Sequence, residues 1–169
     1  MDDKIKILID KIGIDEEHYT YFNDAKITKI KVNSKTNSWN IFIDKDELLP
    51  IDIYEELESK KMNIDPNVKK IEIIFNIKNI NLNTLLSYYK YLLVLLKKDL
   101  KVLEIYEDCL RVEDDKLVLI ATTEVEKERL EKVLNKITKF YKKLSYETPI
   151  EILLRHEDNV LEEIQEELN

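Results

Sequence analysis

Glycine is almost absent from this sequence: Gly13 is the single glycine among 169 residues. Phosphate-binding loops, dinucleotide fingerprints and nucleophile elbows all need glycines, because their backbones adopt positive φ angles or approach a ligand closely. The scarcity therefore excludes these motifs, together with the nucleotide-binding and hydrolase sites that depend on them.

Cysteine and histidine are equally scarce. The lone Cys109 cannot form an intrachain disulfide, which favours a cytoplasmic protein, and its acidic neighbour Asp108 favours a buried, inert thiol. The two histidines, His18 and His156, lack a metal-binding spacing, so a structural zinc site within the chain is excluded. We expect no metal and no cofactor.

Long apolar runs are missing as well. The most apolar stretch, residues 91–96, stops at Lys97, far short of the ~20 residues that cross a bilayer. Charged residues make up 37% of the chain and hydrophobic residues 44%, with a net charge of −8. Such acidity disfavours anionic membranes and bulk nucleic-acid binding, although it leaves room for a local basic face.

Hydrophobic periodicity predicts an α+β protein with two small mixed domains. The first has the order α-α-β-β-α-β and covers residues 1–79, with Gly13 ending the first helix and an irregularity between Ile27 and Ile30 that indicates a β-bulge. Its predicted elements are helices 3–12, 16–23 and 48–61 and strands 26–33, 38–44 and 68–78.

The second predicted domain covers residues 80–155 in the order α-α-β-α-β. A long, well-buried helix begins at Asn81 or Asn83 and reaches about Lys98, and a shorter helix at 100–110 holds Cys109. A hairpin or strand pair around 111–121, a helix at 123–144 and a strand at 149–154 follow. Residues 156–169 are predicted to form an acidic helical tail or linker.

Acidic pairs are plentiful, but they lie at predicted turns and helix starts, as at Asp44/Asp46, Asp114/Asp115 and Glu157/Asp158. Acid–base or metal chemistry needs carboxylates that converge from different elements. Nothing in the spacing indicates such convergence, so we expect no catalytic residue and no small-molecule substrate in this chain.

Two features are candidates for partner binding. Lys132, Lys136, Lys139 and Lys143 form a basic stripe on the predicted helix 123–144, which is either a contact for nucleic acid or an acidic partner, or an ordinary solvated face. Phe42 faces away from the core residues of its strand and could anchor a partner or be covered by the second half. A second basic patch comprises Lys26, Lys29, Lys31 and Lys35, which could instead protect an exposed strand.

Four segments of the first half resemble the extreme N-terminus of PolC-type DNA polymerase III, the replicative polymerase of low-GC Gram-positive bacteria. They are residues 21–27 (YFNDAKI), 29–32 (KIKV), 34–41 (SKTNSWNI) and 48–54 (LLPIDIY), with Ile41 standing where the family commonly has Phe. The second half is similar mainly in the order of its elements.

The resemblance implies two small N-terminal domains that precede an OB-fold, a phosphoesterase-like module, a proofreading exonuclease and the polymerase core. The polymerase and exonuclease carboxylates would then lie outside residues 1–169. It also implies that the second domain is a truncated KH-like fold related to the polymerase-binding domain of the clamp-loader tau subunit. A KH domain grips nucleic acid through a G-x-x-G loop, which is absent after Gly13.

Our leading hypothesis is therefore a cytoplasmic, non-catalytic assembly module of a replicative DNA polymerase, which binds a replisome protein such as the clamp-loader tau subunit. The alternative is a module that guides single-stranded DNA with its lysine stripes. An independent enzyme is the least favoured reading.

Overall fold

A computed structural model describes residues 1–101 and 103–156. The chain divides into two compact units. Among the described residues, unit 1 comprises residues 1–84 and 141–147, and unit 2 comprises residues 85–140 and 148–156. The α+β class predicted from the sequence is confirmed, since each unit contains helices and a three-stranded sheet.

Unit 1 begins with helix α1 (Asp3–Ile12), which buries one apolar stripe and exposes its charged side chains. The stripe has the spacing of a helix packed on a core and consists of Ile5, Leu8, Ile9 and Ile12. Gly13 follows with φ +89° and donates its N–H to the Ile9 carbonyl, so the predicted helix end is confirmed. A 3₁₀ helix, Glu16–Phe22, stands where the second short helix was predicted.

The sheet of unit 1 combines an antiparallel hairpin with a parallel crossover. Strands β1 (Lys26–Asn33) and β2 (Ser38–Lys45) form the hairpin, and their register shifts between Ile27 and Lys29, which confirms the predicted bulge. Helix α2 (Ile51–Lys60) then leads to β3 (Lys70–Ile77), which pairs parallel to β2. The strand order β1-β2-β3 leaves β1 at one edge.

The other edge strand, β3, is covered by the distant segment 141–147. The Phe75 N–H donates to the Lys143 carbonyl over 2.8 Å, and the Ile77 N–H donates to Ser145 Oγ over 2.7 Å. The Ser145 hydroxyl in turn donates to the Phe75 carbonyl over 2.8 Å. The two edges of the sheet therefore differ, because β3 has partners on both sides within unit 1.

Unit 2 contains most of the second half. Its elements are α3 (Leu82–Ser87, which begins in unit 1), α4 (Tyr89–Leu95), a 3₁₀ helix (Leu103–Tyr106), β4 (Leu110–Glu113), β5 (Lys116–Ala121), α5 (Glu124–Lys142, whose last residues belong to unit 1) and β6 (Glu151–Leu154). Asp114 and Asp115 both have positive φ and close the β4–β5 hairpin as a two-residue turn. β6 pairs parallel to β5 in the order β4-β5-β6.

The two sheets share one topology. Each is a hairpin followed by a helix and a third strand that runs parallel to the second. The hairpin that the predicted order treated as one β element thus contributes two strands, and unit 2 repeats the element order of unit 1. No sequence repeat reveals this similarity.

Two helix predictions in the second half were wrong. The predicted continuous helix up to about Lys98 is broken at Tyr88, a fully buried residue within the run Ser87, Tyr88 and Tyr89, whose types favour helix less than Leu or Lys. The predicted helix 100–110 is only a short 3₁₀ turn, and Cys109 lies just before β4 instead of on a helix.

The predicted acidic tail lies almost entirely outside the described residues, which end at His156. Among the described helices, none combines the length and apolar character that a membrane span requires.

Candidate protein-interaction surface

A groove of about 510 Å³ runs between α1 and β1 within unit 1. We call it the α1–β1 groove. One wall comes from a single stripe of α1 and the floor from the first half of β1. Its lining residues are Lys4, Ile7, Leu8, Lys11, Ile27, Thr28, Lys29 and Ile30.

The groove exposes large aliphatic side chains. Ile7 is 66% exposed on α1, Ile30 is 47% exposed on β1, and Val32, two residues further along the strand, is 62% exposed. Ile30 and Val32 pair in register with Ile41 and Trp39 and so share the core-side face of the sheet. Ile41 on β2 is completely buried. The core-side face of the sheet is therefore covered at Ile41 on β2 but exposed at Ile30 and Val32 on β1.

The charge of the groove is opposite to that of the chain. Lys4 and Lys11 bring ammonium groups to it from α1, Lys29 lines it from β1 with its ammonium group directed over Phe42, and no acidic residue is among its described lining. A second depression of about 520 Å³ at the hairpin tip adds Lys31 and Lys35 beside Val32, again without an acidic lining residue. The chain as a whole carries a net charge of −8, so this basic surface is a local exception.

A groove in unit 2 shows what a balanced surface looks like. It measures about 350 Å³, and its charged lining consists of Lys90, Arg111, Glu107 and Asp108. Positive and negative side chains occur there in equal number. The α1–β1 groove differs from the groove in unit 2, because all charged residues in its described lining are basic.

Phe42 lies on the sheet face opposite the core, as predicted, and is half-buried. The Lys29 and Lys31 ammonium groups lie 4.9 and 5.6 Å from its ring centroid, within cation–π distance. The charge of Lys31 lowers the pKa of Lys29 below its ordinary value, and partial desolvation adds to this effect. An anion placed over Phe42 would relieve that repulsion. The role of Phe42 as a partner anchor stays a prediction.

The lysine stripe predicted on α5 falls into both units. Lys132, Lys136 and Lys139 are exposed in unit 2, whereas Lys143 lies beyond the end of α5 in unit 1 and is half-buried. Lys136 forms an ion pair of 3.0 Å with Asp99. The charge of Lys143 helps to lower the pKa of Glu72, after the larger effect of the Lys70 hydrogen bond. Two of the four lysines therefore have carboxylate neighbours within their own units.

One group of potential metal ligands, Asp15, His18 and Glu56, comes together in the described part of the chain. The Glu56 carboxylate is already engaged, by His18 Nδ1 at 2.6 Å, by the Asp15 N–H at 2.8 Å and by Lys60 Nζ at 3.2 Å. Burial raises the pKa of Glu56, but these donors and the charge of Lys60 outweigh that effect and lower it. A cation would have to displace Lys60. We therefore interpret the cluster as a set of hydrogen bonds that connects α2 to the 3₁₀ helix Glu16–Phe22.

The other predicted inert groups have local roles. Cys109 is 6% exposed, and its thiol donates to the Ile105 carbonyl. Burial raises the pKa of Cys109 to about 11, with smaller contributions from Glu126 and Asp108. Asp44 accepts a hydrogen bond from Asn76, and Asp114 and Asp115 form the hairpin turn.

The sequence indicated part of this surface. The lysines of β1 were recognised as a basic patch, but Ile7 went unnoticed, and Ile27, Ile30 and Val32 looked like ordinary core positions of a strand. The signal that distinguishes them is the lysine content of the same strand, which is typical of a sheet edge.

Comparison with known proteins finds a similarity in the N-terminal part of the chain. No curated protein and no solved structure matches the chain significantly. Residues 4–63 match the family model described as DNA polymerase III polC-type N-terminus I. The match spans α1, the β1–β2 hairpin and α2, and thus the whole α1–β1 groove. Residues 4–63 of this chain are therefore similar to the N-terminal region of PolC-type DNA polymerase III.

Proposed function

We propose that this chain is a non-catalytic assembly module of a PolC-type replicative DNA polymerase, which acts in the cytoplasm by binding another replisome protein. The family match associates the chain with DNA polymerase III. The observation that carries the binding role is the α1–β1 groove, because it exposes aliphatic and basic side chains together on the family-matched segment.

The distribution of polar groups supports binding over chemistry. Glu56 is held by three donors, Cys109 is buried with a raised pKa, and Asp114 and Asp115 form the β4–β5 turn, while Glu157 and Asp158 lie outside the described residues. A catalytic site needs groups that converge on a space where substrate can sit. The α1–β1 groove offers aliphatic side chains and ammonium groups there, which can bind a partner but form no acid–base pair with each other.

A binding titration tests the proposal. The clamp-loader tau subunit, the sliding clamp and the helicase loader are titrated separately into the purified chain by calorimetry, and complexes are checked by size-exclusion chromatography. We expect a saturable complex with one of them. If none of these proteins binds, the assembly role is wrong.

A second candidate is the guidance of single-stranded DNA, which is favoured by the position of Lys29 and Lys31 over Phe42. Aromatic side chains beside ammonium groups are typical of single-strand binding surfaces. This reading predicts that an oligothymidylate binds with steep salt dependence. Binding should weaken in the Phe42→Ala variant, or in a triple variant with Lys132, Lys136 and Lys139 changed to Glu if α5 is the contact. An absence of binding at low salt would remove this candidate.

A further inference from the structure

The exposed side chains of the α1–β1 groove belong on a surface that another chain covers. Ile7 and Ile30 line the groove, Val32 lies beside it at the hairpin tip, and each is about half exposed or more, whereas Ile5 on α1 and Ile41 on β2 are completely buried. β1 has β2 on one side and, among the described residues, no strand on the other. Contiguous aliphatic side chains beside an open sheet face are characteristic of protein-binding surfaces.

The charges around these side chains indicate the charge that a partner segment should carry. Lys4, Ile7, Leu8 and Lys11 follow the helical spacing i, i+3, i+4 and i+7, so one stripe of α1 brings two lysines to the groove. The nearby acids of α1, Asp3 and Asp10, are not part of that lining, and Asp10 accepts a hydrogen bond from Tyr19. A segment with an apolar stripe flanked by carboxylates complements this arrangement.

The position of Ile7 distinguishes a helix from an added strand. Ile7 lies on the wall of the groove, on α1, while Ile27 and Ile30 form the floor on β1. A strand added to the edge of β1 would lie in the plane of the sheet and leave Ile7 bare. A helix above β1 and beside α1 contacts wall and floor together and extends the helical layer across the sheet.

The same features disfavour other occupants. A second copy paired symmetrically through β1 would place the lysines of one strand against those of the other, which is unfavourable. Nucleic acid gains from aromatic side chains that stack on bases, and the apolar lining of the groove is aliphatic. The observations thus favour a protein partner with acidic flanks.

We propose that the α1–β1 groove binds an acidic amphipathic helix of a partner protein, an inference that rests on the assembly function proposed above. The helix would place its apolar stripe on Ile7, Ile27 and Ile30 and its carboxylates beside Lys4 and Lys11. This is the helix-in-groove mode of recognition, with electrostatic complementarity providing specificity.

The test uses the full chain and a fluorescent designed peptide of about five helical turns. The peptide has leucine at the i, i+3, i+4 and i+7 positions of one stripe and glutamate on both sides, and a control peptide has lysine in place of glutamate. Anisotropy measures binding, circular dichroism measures peptide helicity, and amide exchange of the chain reports on β1. We expect the acidic peptide to bind as a helix and the basic peptide to bind at least about tenfold more weakly.

Matched variants connect binding to the groove. Lys4→Glu and Lys11→Glu reverse lining charges, while Lys6→Glu makes the same change at an exposed α1 position outside the lining. Ile7→Gln removes an exposed aliphatic side chain, and Val125→Gln does so on α5, where Val125 is 57% exposed. We expect the groove variants to weaken binding about tenfold or more and both controls to bind like the unmodified chain.

The remaining outcomes separate a failure of the groove inference from a failure of the assembly function. If a replisome protein binds the chain and the groove variants leave that binding unchanged, the groove inference is wrong while the assembly function stands. If neither peptide nor replisome protein binds, both fail. Equal binding of the two peptides, protection of β1 edge amides by an extended peptide, dimerisation of the chain through the groove, or displacement of the peptide by oligothymidylate would each overturn the acidic-helix inference.

Discussion

At the scale of single residues, Lys45 is a charged residue that is buried, with a side chain that is 4% exposed. Its ammonium group donates to the Tyr21 carbonyl over 2.7 Å and to the Asp24 carboxylate over 2.5 Å. Asp24 also accepts the backbone N–H groups of Asp46 and Glu47. Asp24 therefore connects the segment before β1 to the end of β2 and supplies the counter-charge that Lys45 needs.

We predict that Asp24→Ala lowers the free energy of unfolding by about 2 kcal/mol, because it leaves the buried ammonium group of Lys45 without its carboxylate. Urea unfolding followed by circular dichroism measures the loss. The double variant Asp24→Asn with Lys45→Met should be more stable than Asp24→Ala, since it removes both charges. Equal stability of Asp24→Ala and the unmodified chain would contradict the pairing.

The same pair predicts a pH dependence. Burial raises the pKa of Asp24, but the hydrogen bond and charge of Lys45 and the backbone donors outweigh it, so the pKa lies below its ordinary value. A carboxyl with a lowered folded-state pKa binds its proton less readily when folded, so its stabilisation is complete above the unfolded pKa and is lost as pH falls through the folded value. We expect this acid-induced loss of stability to be smaller in Asp24→Asn than in the unmodified chain.

Cys109 gives a further prediction at this scale. Its pKa of about 11 and its 6% exposure make the thiolate scarce and inaccessible near neutral pH. A thiol-specific disulfide reagent at pH 8 should therefore react with the folded chain much more slowly than with the chain in concentrated urea. Absorbance of the released chromophore measures both rates, and similar rates would show that Cys109 is accessible.

At the scale of elements, α1 depends on a residue that the sequence contains once. Gly13 has φ +89°, and a Cβ at this position would meet only Asn63 Nδ2 at 4.0 Å. There is thus space for a side chain, and the cost of adding one lies in the backbone conformation. We predict that Gly13→Ala destabilises unit 1 by about 1 kcal/mol.

Chemical denaturation of Gly13→Ala, compared with Lys6→Ala on the exposed face of α1, isolates that backbone effect. The Lys6 variant should be nearly neutral, because alanine favours helix and Lys6 is exposed. An unchanged midpoint for Gly13→Ala would mean that α1 ends without the left-handed residue.

Several elements follow from local signals. Thr123 Oγ1 accepts the Glu126 N–H over 3.2 Å, as the spacing Thr-x-x-Glu predicts for a helix start. The Glu126 carboxylate, however, accepts from the backbone N–H and hydroxyl of Thr122, one residue earlier than the motif implies. The Asn81 side chain accepts from the N–H groups of Asn83 and Thr84 and so resolves which asparagine begins α3.

Other features of the elements cannot be predicted from neighbouring residues alone. Tyr88 interrupts a run that has strong helical periodicity, and the buried position of its ring is a tertiary property. The turn residues Asp114 and Asp115 both adopt positive φ without a glycine, which is tolerated because Asp is one of the residue types that visit this region. The pair Asp114-Asp115 therefore predicts a two-residue hairpin turn less strongly than an Asn-Gly pair would.

At the scale of the whole molecule, Ser145 connects parts of unit 1 that are far apart in sequence. Its hydroxyl accepts from the Ile77 N–H and donates to the Phe75 carbonyl, at a sequence separation of about 70 residues. Ile77 is 7% exposed and Phe75 is 2% exposed, so water cannot readily replace these hydrogen bonds. A fragment that ends at the predicted boundary near residue 79 would lack them.

We predict that Ser145→Ala lowers the free energy of unfolding by about 1–2 kcal/mol, because two buried backbone groups of β3 lose a partner. Denaturant unfolding gives the change, and native-state amide exchange should show faster exchange at Ile77. Ser59→Ala is the matched control, since the exposed Ser59 hydroxyl donates only within its own helix. Equal effects of both substitutions would contradict the bridging role of Ser145.

The sequence by itself determined the features that depend on neighbouring residues. Gly13 ends α1, the broken alternation after Ile27 indicates the bulge, and segments within residues 21–54 show the resemblance to PolC-type DNA polymerase III that the family match over residues 4–63 supports. The tertiary structure decided that β3 pairs parallel to β2, that Ser145 completes its edge, and that Ile30 and Val32 are exposed. Local propensities act over a few residues, whereas burial depends on which distant segments pack together. The scarcity of glycine excluded glycine-dependent loops, whereas the α1–β1 groove became visible only once α1 was packed beside β1.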